Sequence, residues 1–336
     1  MFETLLNRLR ISNAPTVRVY RGFGSPDCVV VMGHVFRRSP IPRRKFRQNV
    51  LVNTLALIRL FLVRPVPSAT VRVRLAGATK QTCTDADGFF RVEISPPAPL
   101  GAGWHPVEVD WLNGDAVVTT GRNEIHVPYE TPYTIISDID DTFLISHSSN
   151  LRKRLYVLLT ENAHSRDPFE GVVEHYRLLA GADTPDAEPN AVFYVSSSEW
   201  NLYDYIREFS DKNGLPKGVY LLAQLKRFGQ LLKTGQGKHA TKFDRIVRII
   251  AACPGQRFIL LGDDSQQDPV IYESIVRHFP GRILAVYLRH VNKQNRPATE
   301  ALVAQMERAG VAVCYFEHSR AAREHSEKIG LADETP

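Results

Sequence analysis

Hydrophobic and polar positions follow two regimes along the chain. From about residue 17 to 130, apolar residues come in short runs or alternate with polar ones, as half-buried strands require. Val29, Val30, Val31 and Met32 form one run. Val71, Val73 and Leu75 alternate with Arg72 and Arg74. Asp87-Gly88 is a hairpin turn signal leading into an alternating segment that ends at Ile94. Asp85 and Asp87 fit turn chemistry better than a metal site. Pro96, Pro97 and Pro99 stiffen the next loop, and residues 104–112 and 124–127 read as further strands. Short strands with turn signals predict a β-sandwich-like domain over residues 1–130.

Residues 47–63 interrupt that pattern. They are almost continuously apolar, with Arg59 as the one charge after Arg47, and Pro65 follows. This reads as an inserted helix too short to span a bilayer comfortably. It either packs on the protein or lies in a membrane interface. After Thr131-Pro132 the regime changes. Strands are predicted at 133–137, 191–195, 219–222, 257–261, 283–288 and 311–316, with helices at 171–180, 200–211, 241–253, 269–279, 299–309 and 319–329. Alternation of this kind is the mark of an α/β doubly wound, Rossmann-like parallel sheet, here over residues 131–336. It is the larger of the two predicted domains.

Composition adds little to this division. The chain has 336 residues, 43% of them hydrophobic, and a formal charge of +6. Two ordinary domains fit that length, and disorder does not fit that apolar content. The positive excess is local: Arg37, Arg38, Arg43, Arg44, Lys45 and Arg47 cluster just before the apolar segment. Such a patch suits an acidic partner or is simply a solvated loop. With the adjacent apolar stretch, residues 37–63 suit peripheral contact with an anionic membrane, and no nucleic acid partner is expected. Cys28, Cys83, Cys253 and Cys314 are too scattered for a zinc site or a disulfide framework, which fits a reducing, cytoplasmic setting. Residues 1–14 do not have the form of a secretory signal.

Chemistry concentrates at predicted strand ends. The run Thr134-Ile135-Ile136-Ser137 ends in Asp138-Ile139-Asp140-Asp141-Thr142. Asp is poorly placed inside a strand, so these carboxylates belong at its C-terminal tip, where open parallel sheets bind ligands. Asp138 and Asp140 point the same way from an extended backbone. Their repulsion calls for a cation or a shared proton, and carboxylate oxygens suit Mg2+. A calcium loop of the EF-hand type is unsuited, because Thr142 and Phe143 stand where an acid or amide and a glycine are needed. The next strand ends in Ser196-Ser197-Ser198, hydroxyls able to donate to a phosphate oxygen or to cap the following helix. Lys238 and Lys242 could offset phosphate charge. The strand at 257–261 ends in Gly262-Asp263-Asp264, with Asp268-Pro269 beyond. Gly262 permits a tight exit. Asp263 and Asp268 can return to a metal held by Asp138, although Asp268 could equally be a helix N-cap.

The order Asp-x-Asp-x-Thr, Ser, Lys, Gly-Asp-x-x-x-x-Asp resembles the haloacid dehalogenase-like phosphohydrolases across residues 133–290. A closer resemblance is to the App1-type phosphatidate phosphatase catalytic domain. It is carried by Ser137-Asp138-Ile139-Asp140-Asp141-Thr142, by Tyr194-Val195-Ser196-x-Ser198-x-Trp200-Asn201-Leu202-Tyr203, and by Phe258-Ile259-Leu260-Leu261-Gly262-Asp263 with Gln266-x-Asp268-Pro269-x-Ile271-Tyr272. Glu199, where a proline is common, and Asp264-Ser265, in place of a Ser-Gly pair, depart from the pattern. The resemblance implies a Mg2+-dependent phosphomonoesterase acting on phosphatidate or a related lipid phosphate. Asp138 would be the nucleophile and Asp140 the general acid and base, with Thr142 closing the motif. Ser196 would hold a phosphoryl oxygen, supported by Ser197 and Ser198, and Lys242 or Lys238 would offset charge. Asp138, Asp140 through its carbonyl, Asp263 and Asp268 would form the metal set. Only short helical pieces are expected between residues 143 and 190, so any cap over the site is small. A soluble phosphate ester as substrate, or a binding module with a relic metal site, are the alternatives. Retention of both Asp138 and Asp140 weighs against a relic.

Overall fold

A computed structural model describes residues 11–12, 14–40, 59–140, 142, 168–182, 184, 188–225 and 238–331. The helix expected at 47–63 and the basic cluster at 43–47 lie outside these residues, apart from a single 3-10 turn at Arg59–Phe61. The chain divides into two compact units. One takes the chain to Pro128, together with Trp200–Leu202 and a segment from Gln224; the other takes the remainder from Tyr129.

The described part of the first unit is built on β-strands: β1 (Ile11–Ser12), β2 (Thr16–Val19), β3 (Gly22–Gly24), β4 (Val29–Pro40), β5 (Arg64–Pro65), β6 (Thr70–Leu75), β7 (Ala78–Cys83), β8 (Phe89–Ile94), β9 (Gly103–Asn113) and β10 (Ala116–Val127). They run in the order β1-β4-β3-β10-β9-β6-β7, with β2, β5 and β8 also paired to β4. The alternation seen in the sequence sorts the faces. Val71, Val73, Val109 and Ile125 are fully buried in the core. Arg72 and Arg74 point the other way and pair with Asp110 at 2.9 and 3.0 Å. Asp85 accepts the amides of Asp87 and Phe89 at 2.9 Å each, and Gly88 takes a positive φ of 72°. That is turn chemistry, as its sequence requires.

The second unit is a six-stranded parallel sheet with helices between the strands. In chain order these are β11 (Tyr133–Ser137), α1 (Val172–Gly181), β12 (Val192–Glu199), α2 (Tyr203–Asn213), β13 (Val219–Ala223), α3 (Lys238–Ala252), β14 (Arg257–Asp263), α4 (Asp268–His278), β15 (Ile283–Arg289), α5 (Arg296–Arg308), β16 (Ala312–Phe316) and α6 (Ser319–Lys328). The spatial order is β13-β12-β11-β14-β15-β16, and every pairing is parallel. Strands covered on both faces need continuous apolar runs, and all five residues of β11 are buried. The order reverses between β11 and β14. At such a switch point neighbouring crossovers leave in opposite directions and open a crevice at the strand tips. Ser137 lies beside both Tyr194 and Leu261 in the ladder, so the tips of β11, β12 and β14 are side by side. Among the described residues, no helix is long and apolar enough to cross a membrane.

Candidate active site at the strand tips

Four side chains meet where β11 and β14 end. The Asp138 amide still donates to Leu261 O at 2.8 Å, which holds the residue in line with the sheet. One carboxylate oxygen from each of Asp138, Asp263 and Asp268 lies within 4.8 Å of the others, and all three residues are buried. Lys242, on the first turns of α3, sets its Nζ 2.8 Å from Asp138 Oδ1 and 2.5 Å from Asp268 Oδ1. Burial alone would strip the proton from Lys242, but the charges of Asp138 and Asp268 outweigh it and push its pKa up, so it stays cationic. Burial pushes the Asp138 carboxyl well above the usual range; Lys242 opposes this, while Asp268, Asp263 and Asp140 reinforce it.

Asp138 Oδ2 and Asp268 Oδ2 are buried with no hydrogen-bond donor among the described residues. Orphaned carboxylate oxygens are costly, and three carboxylates around one ammonium leave excess negative charge. These residues could hold a metal ion: the donors are all oxygen, close and convergent.

Asp140 sits in a different environment. Its Oδ2 accepts the Ser196 hydroxyl at 2.9 Å and the Ser198 hydroxyl at 2.5 Å. Ser196 Oγ also accepts the Ser198 amide at 2.8 Å, closing a small ring at the β12 tip. Ser197 is half-buried between them and bonds no described residue through its side chain. The Thr142 hydroxyl donates to Asp263 Oδ2 at 3.1 Å, and the Ser265 amide donates to Asp263 Oδ1 at 2.6 Å. Of the two lysines, Lys242 enters the cluster, and the side chain of Lys238 lies outside the described residues. Asp268 is no N-cap: Gln267 holds that position, and the Asp268 carboxylate is turned to Lys242.

Several neighbours were not singled out in the sequence. Tyr176 OH and Ser137 Oγ are 2.6 Å apart, and Ser137 Oγ donates to Asp138 O at 2.6 Å. Tyr272 OH donates to Leu261 O at 2.7 Å. Burial raises the pKa of both phenols, which keeps them neutral beneath the carboxylates. Gly262 is required for room: a Cβ there would lie 2.6 Å from Asp268 Oδ2 and 2.8 Å from the Tyr272 ring. Arg245, one turn beyond Lys242, donates to Ser196 O at 2.9 Å. Asp264 accepts the amides of Val291 and Asn292 at 2.7 and 2.8 Å through Oδ1. It meets His290 Nδ1 and the Tyr315 hydroxyl at 2.5 Å each through Oδ2. It thereby ties the β14 exit to the β15 exit.

The crevice thus brings acidic strand tips together with a lysine and hydroxyls. Residues 133–290 match the family described as phosphatidate phosphatase APP1, catalytic domain. The chain is 30% identical over 165 residues to phosphatidate phosphatase APP1 of Saccharomyces cerevisiae, covering 48% of this chain and 27% of that protein. It is 25% identical over 215 residues to an uncharacterised protein of Schizosaccharomyces pombe, covering 62% of this chain and 34% of the relative. The chain therefore spans about a third or less of the length of these curated relatives. A solved carbohydrate acetylesterase from Xanthomonas citri aligns over 94% of this chain and 75% of its own at 11% identity. The TM-score is 0.33.

Proposed function

We propose that the second unit is a haloacid dehalogenase-like phosphatase that uses Mg2+ and hydrolyses a phosphomonoester through an aspartyl-phosphate. The observation that carries this is the buried set of Asp138, Asp263 and Asp268 around Lys242, with two carboxylate oxygens lacking donors. Asp138, Asp263 and Asp268 would hold the cation, and Asp140 would add its backbone carbonyl. When bound, the ion supplies positive charge against the charge that develops on the phosphoryl oxygens.

Asp138 attacks phosphorus and displaces the alcohol, splitting one slow hydrolysis into two easier steps. Lys242 keeps the nucleophile oriented and offsets its charge. Asp140, its carboxyl fixed by Ser196 and Ser198, gives a proton to the departing oxygen and later takes one from the water that attacks the acyl phosphate. Ser196 to Ser198 and the cation of Lys242 would receive the phosphoryl oxygens.

By similarity to the yeast relative, the substrate is phosphatidate or a related lipid phosphate, and the products are diacylglycerol and phosphate. Residues 37–63 would bring the enzyme to an anionic surface from the cytoplasm. The test is phosphate release by the purified chain from p-nitrophenyl phosphate and from phosphatidate in mixed micelles, with Mg2+ or with chelator. Both should turn over only with Mg2+, and Asp138→Asn should abolish both. Turnover of the soluble ester alone would redirect the substrate to a soluble metabolite. No Mg2+-dependent turnover of either would refute the phosphatase.

A further inference from the structure

The mechanism above leaves the buried cation beside the β14 exit, Arg289, unused. Arg289 closes β15 with its side chain only 3% exposed, and it forms no ion pair with a described carboxylate. It is held instead by neutral groups. The guanidinium lies over the rings of Phe169 and Phe316, at 4.3 and 4.9 Å from their centroids. Nη1 donates to Glu317 O at 3.2 Å, Nη2 to Ser319 Oγ at 2.7 Å, and Nε to Thr142 O at 3.2 Å. A planar fork between two rings has few ways to move, and it costs several contacts to displace.

What it holds is part of the catalytic motif. Thr142 receives Arg289 on its carbonyl and sends its hydroxyl to Asp263 Oδ2 at 3.1 Å. Asp263 is also the ladder neighbour of Arg289 across β14 and β15. The three residues thus form a closed circuit: backbone pairing from Arg289 to Asp263, side chain from Arg289 to Thr142, and hydroxyl from Thr142 back to Asp263. A group that only filled space would need no fork aimed at the Thr142 carbonyl.

We infer that Arg289 is a positioning residue, fixing Thr142 and, through its hydroxyl, the orientation of Asp263 toward the cation site. This rests on the metal-dependent reading above. Lysine at this position keeps the charge but, with a single nitrogen and no planar group, cannot reach the three acceptors that Nε, Nη1 and Nη2 hold or stack on the two rings. Groups that orient a metal ligand characteristically change metal affinity when removed.

The experiment titrates Mg2+ into the full chain and follows the thermal midpoint, then repeats the titration by p-nitrophenyl phosphate hydrolysis. Wild type, Arg289→Lys, Thr142→Val, their double variant and Ser319→Ala are compared. Arg289→Lys and Thr142→Val should each raise the half-saturating Mg2+ about tenfold. The double variant should be no worse than the weaker single, because both act on one path. Ser319→Ala, which frees one arm of the guanidinium but leaves the bond to Thr142, should shift it in the same direction by less. At saturating Mg2+ the Arg289 and Ser319 variants should keep KM within about twofold and recover kcat. If the Lys variant does not fold, Ser319→Ala against wild type decides. Half-saturation unchanged in the folded Arg289 and Ser319 variants, or effects that multiply in the double variant, would overturn the inference alone. A wild type indifferent to Mg2+ by both readouts would overturn it together with the metal-dependent reading.

Discussion

Replacing Asp138 by Asn should make the protein more stable without metal and less able to be stabilised by it. The magnitude follows from the cluster. Asp263 and Asp268 each bring an oxygen within 4.8 Å of one on Asp138. At an effective dielectric of about 20, a pair of charges at that separation repels by about 3.5 kcal/mol. Lys242, at 2.8 Å, attracts Asp138 by about 6 kcal/mol on the same scale. Attraction and repulsion nearly cancel, so burial decides, in line with a carboxyl pushed well above its usual range. Asparagine has the same shape without the charge, and Lys242 keeps Asp268 as a partner. In chelator the variant should gain about 1–3 kcal/mol, or roughly 3–10 °C in melting temperature for a unit of this size. Saturating Mg2+ should then offset that gain, since a cation at a hundred times its Kd adds about 2.7 kcal/mol to the wild type. The sign with pH agrees. A carboxyl whose folded pKa is raised binds its proton more tightly when folded, so metal-free wild type loses stability as pH rises from the unfolded carboxylate pKa through the folded one. The Asn variant should lack that loss. Thermal melts with chelator and with Mg2+, from pH 4 to 8, measure all of this. A variant less stable than wild type in chelator, or one that gains as much from Mg2+, would refute the electrostatic account of the cluster.

Gly262→Ala should cost about 1–3 kcal/mol by overpacking and lower kcat by displacing Asp268, read from melts and turnover. His175, buried on α1 with Nε2 2.9 Å from Ser326 Oγ, has its pKa lowered to about 3 by burial first and then by Arg289, His325 and Arg323. Its contribution is whole above the unfolded value of 6.5 and is lost as pH falls toward 3, by at most about 5 kcal/mol. His175→Gln should flatten denaturant-derived stability by about one proton across that window; an unchanged slope would contradict it. Replacing Arg43, Arg44, Lys45 and Arg47 by Ser should abolish flotation with anionic vesicles at low salt while leaving p-nitrophenyl phosphate hydrolysis intact. Equal flotation of both proteins, or of neither, would remove the membrane role of this segment.

The parallel sheet was legible because its strands are covered on both faces and so read as unbroken apolar runs. Tyr133–Ser137 was bounded to the residue, since Asp138 cannot continue a buried strand. The later strand tips ran further than expected: β12 reaches Glu199 and β14 reaches Asp263, because polar side chains there are satisfied by one another. The acidic and hydroxyl members of the site carried a local signal, a polar cluster ending an apolar run. The remainder had none. Lys238 and Lys242 lie one helical turn apart, and only the placement of α3 brings Lys242 to Asp138 and Asp268. Gly262 looked like a backbone requirement, but the space it leaves is taken by a side chain six positions later. Tyr176 and Tyr272 resemble ordinary core aromatics until their hydroxyls are followed to Ser137 and Leu261. Arg289 gave one faint sign, a charge ending a hydrophobic strand, with nothing to say what it reached.

The placement of β11 between β12 and β14 bears on the birth of the protein. During synthesis the strand carrying Asp138 leaves the ribosome well before Lys242, its neighbour β14 and the acids of the β14 exit. Contacts separated so widely in sequence form slowly, because the intervening loop must be closed before they contribute. Until then the apolar edge of β11 that will receive Phe258 to Leu261 has no partner of its own. An uncovered apolar edge is a template for strand addition by another chain. A nascent chain stalled before Arg257 would therefore be at its most aggregation-prone, and a holding chaperone would find its longest-lived target there.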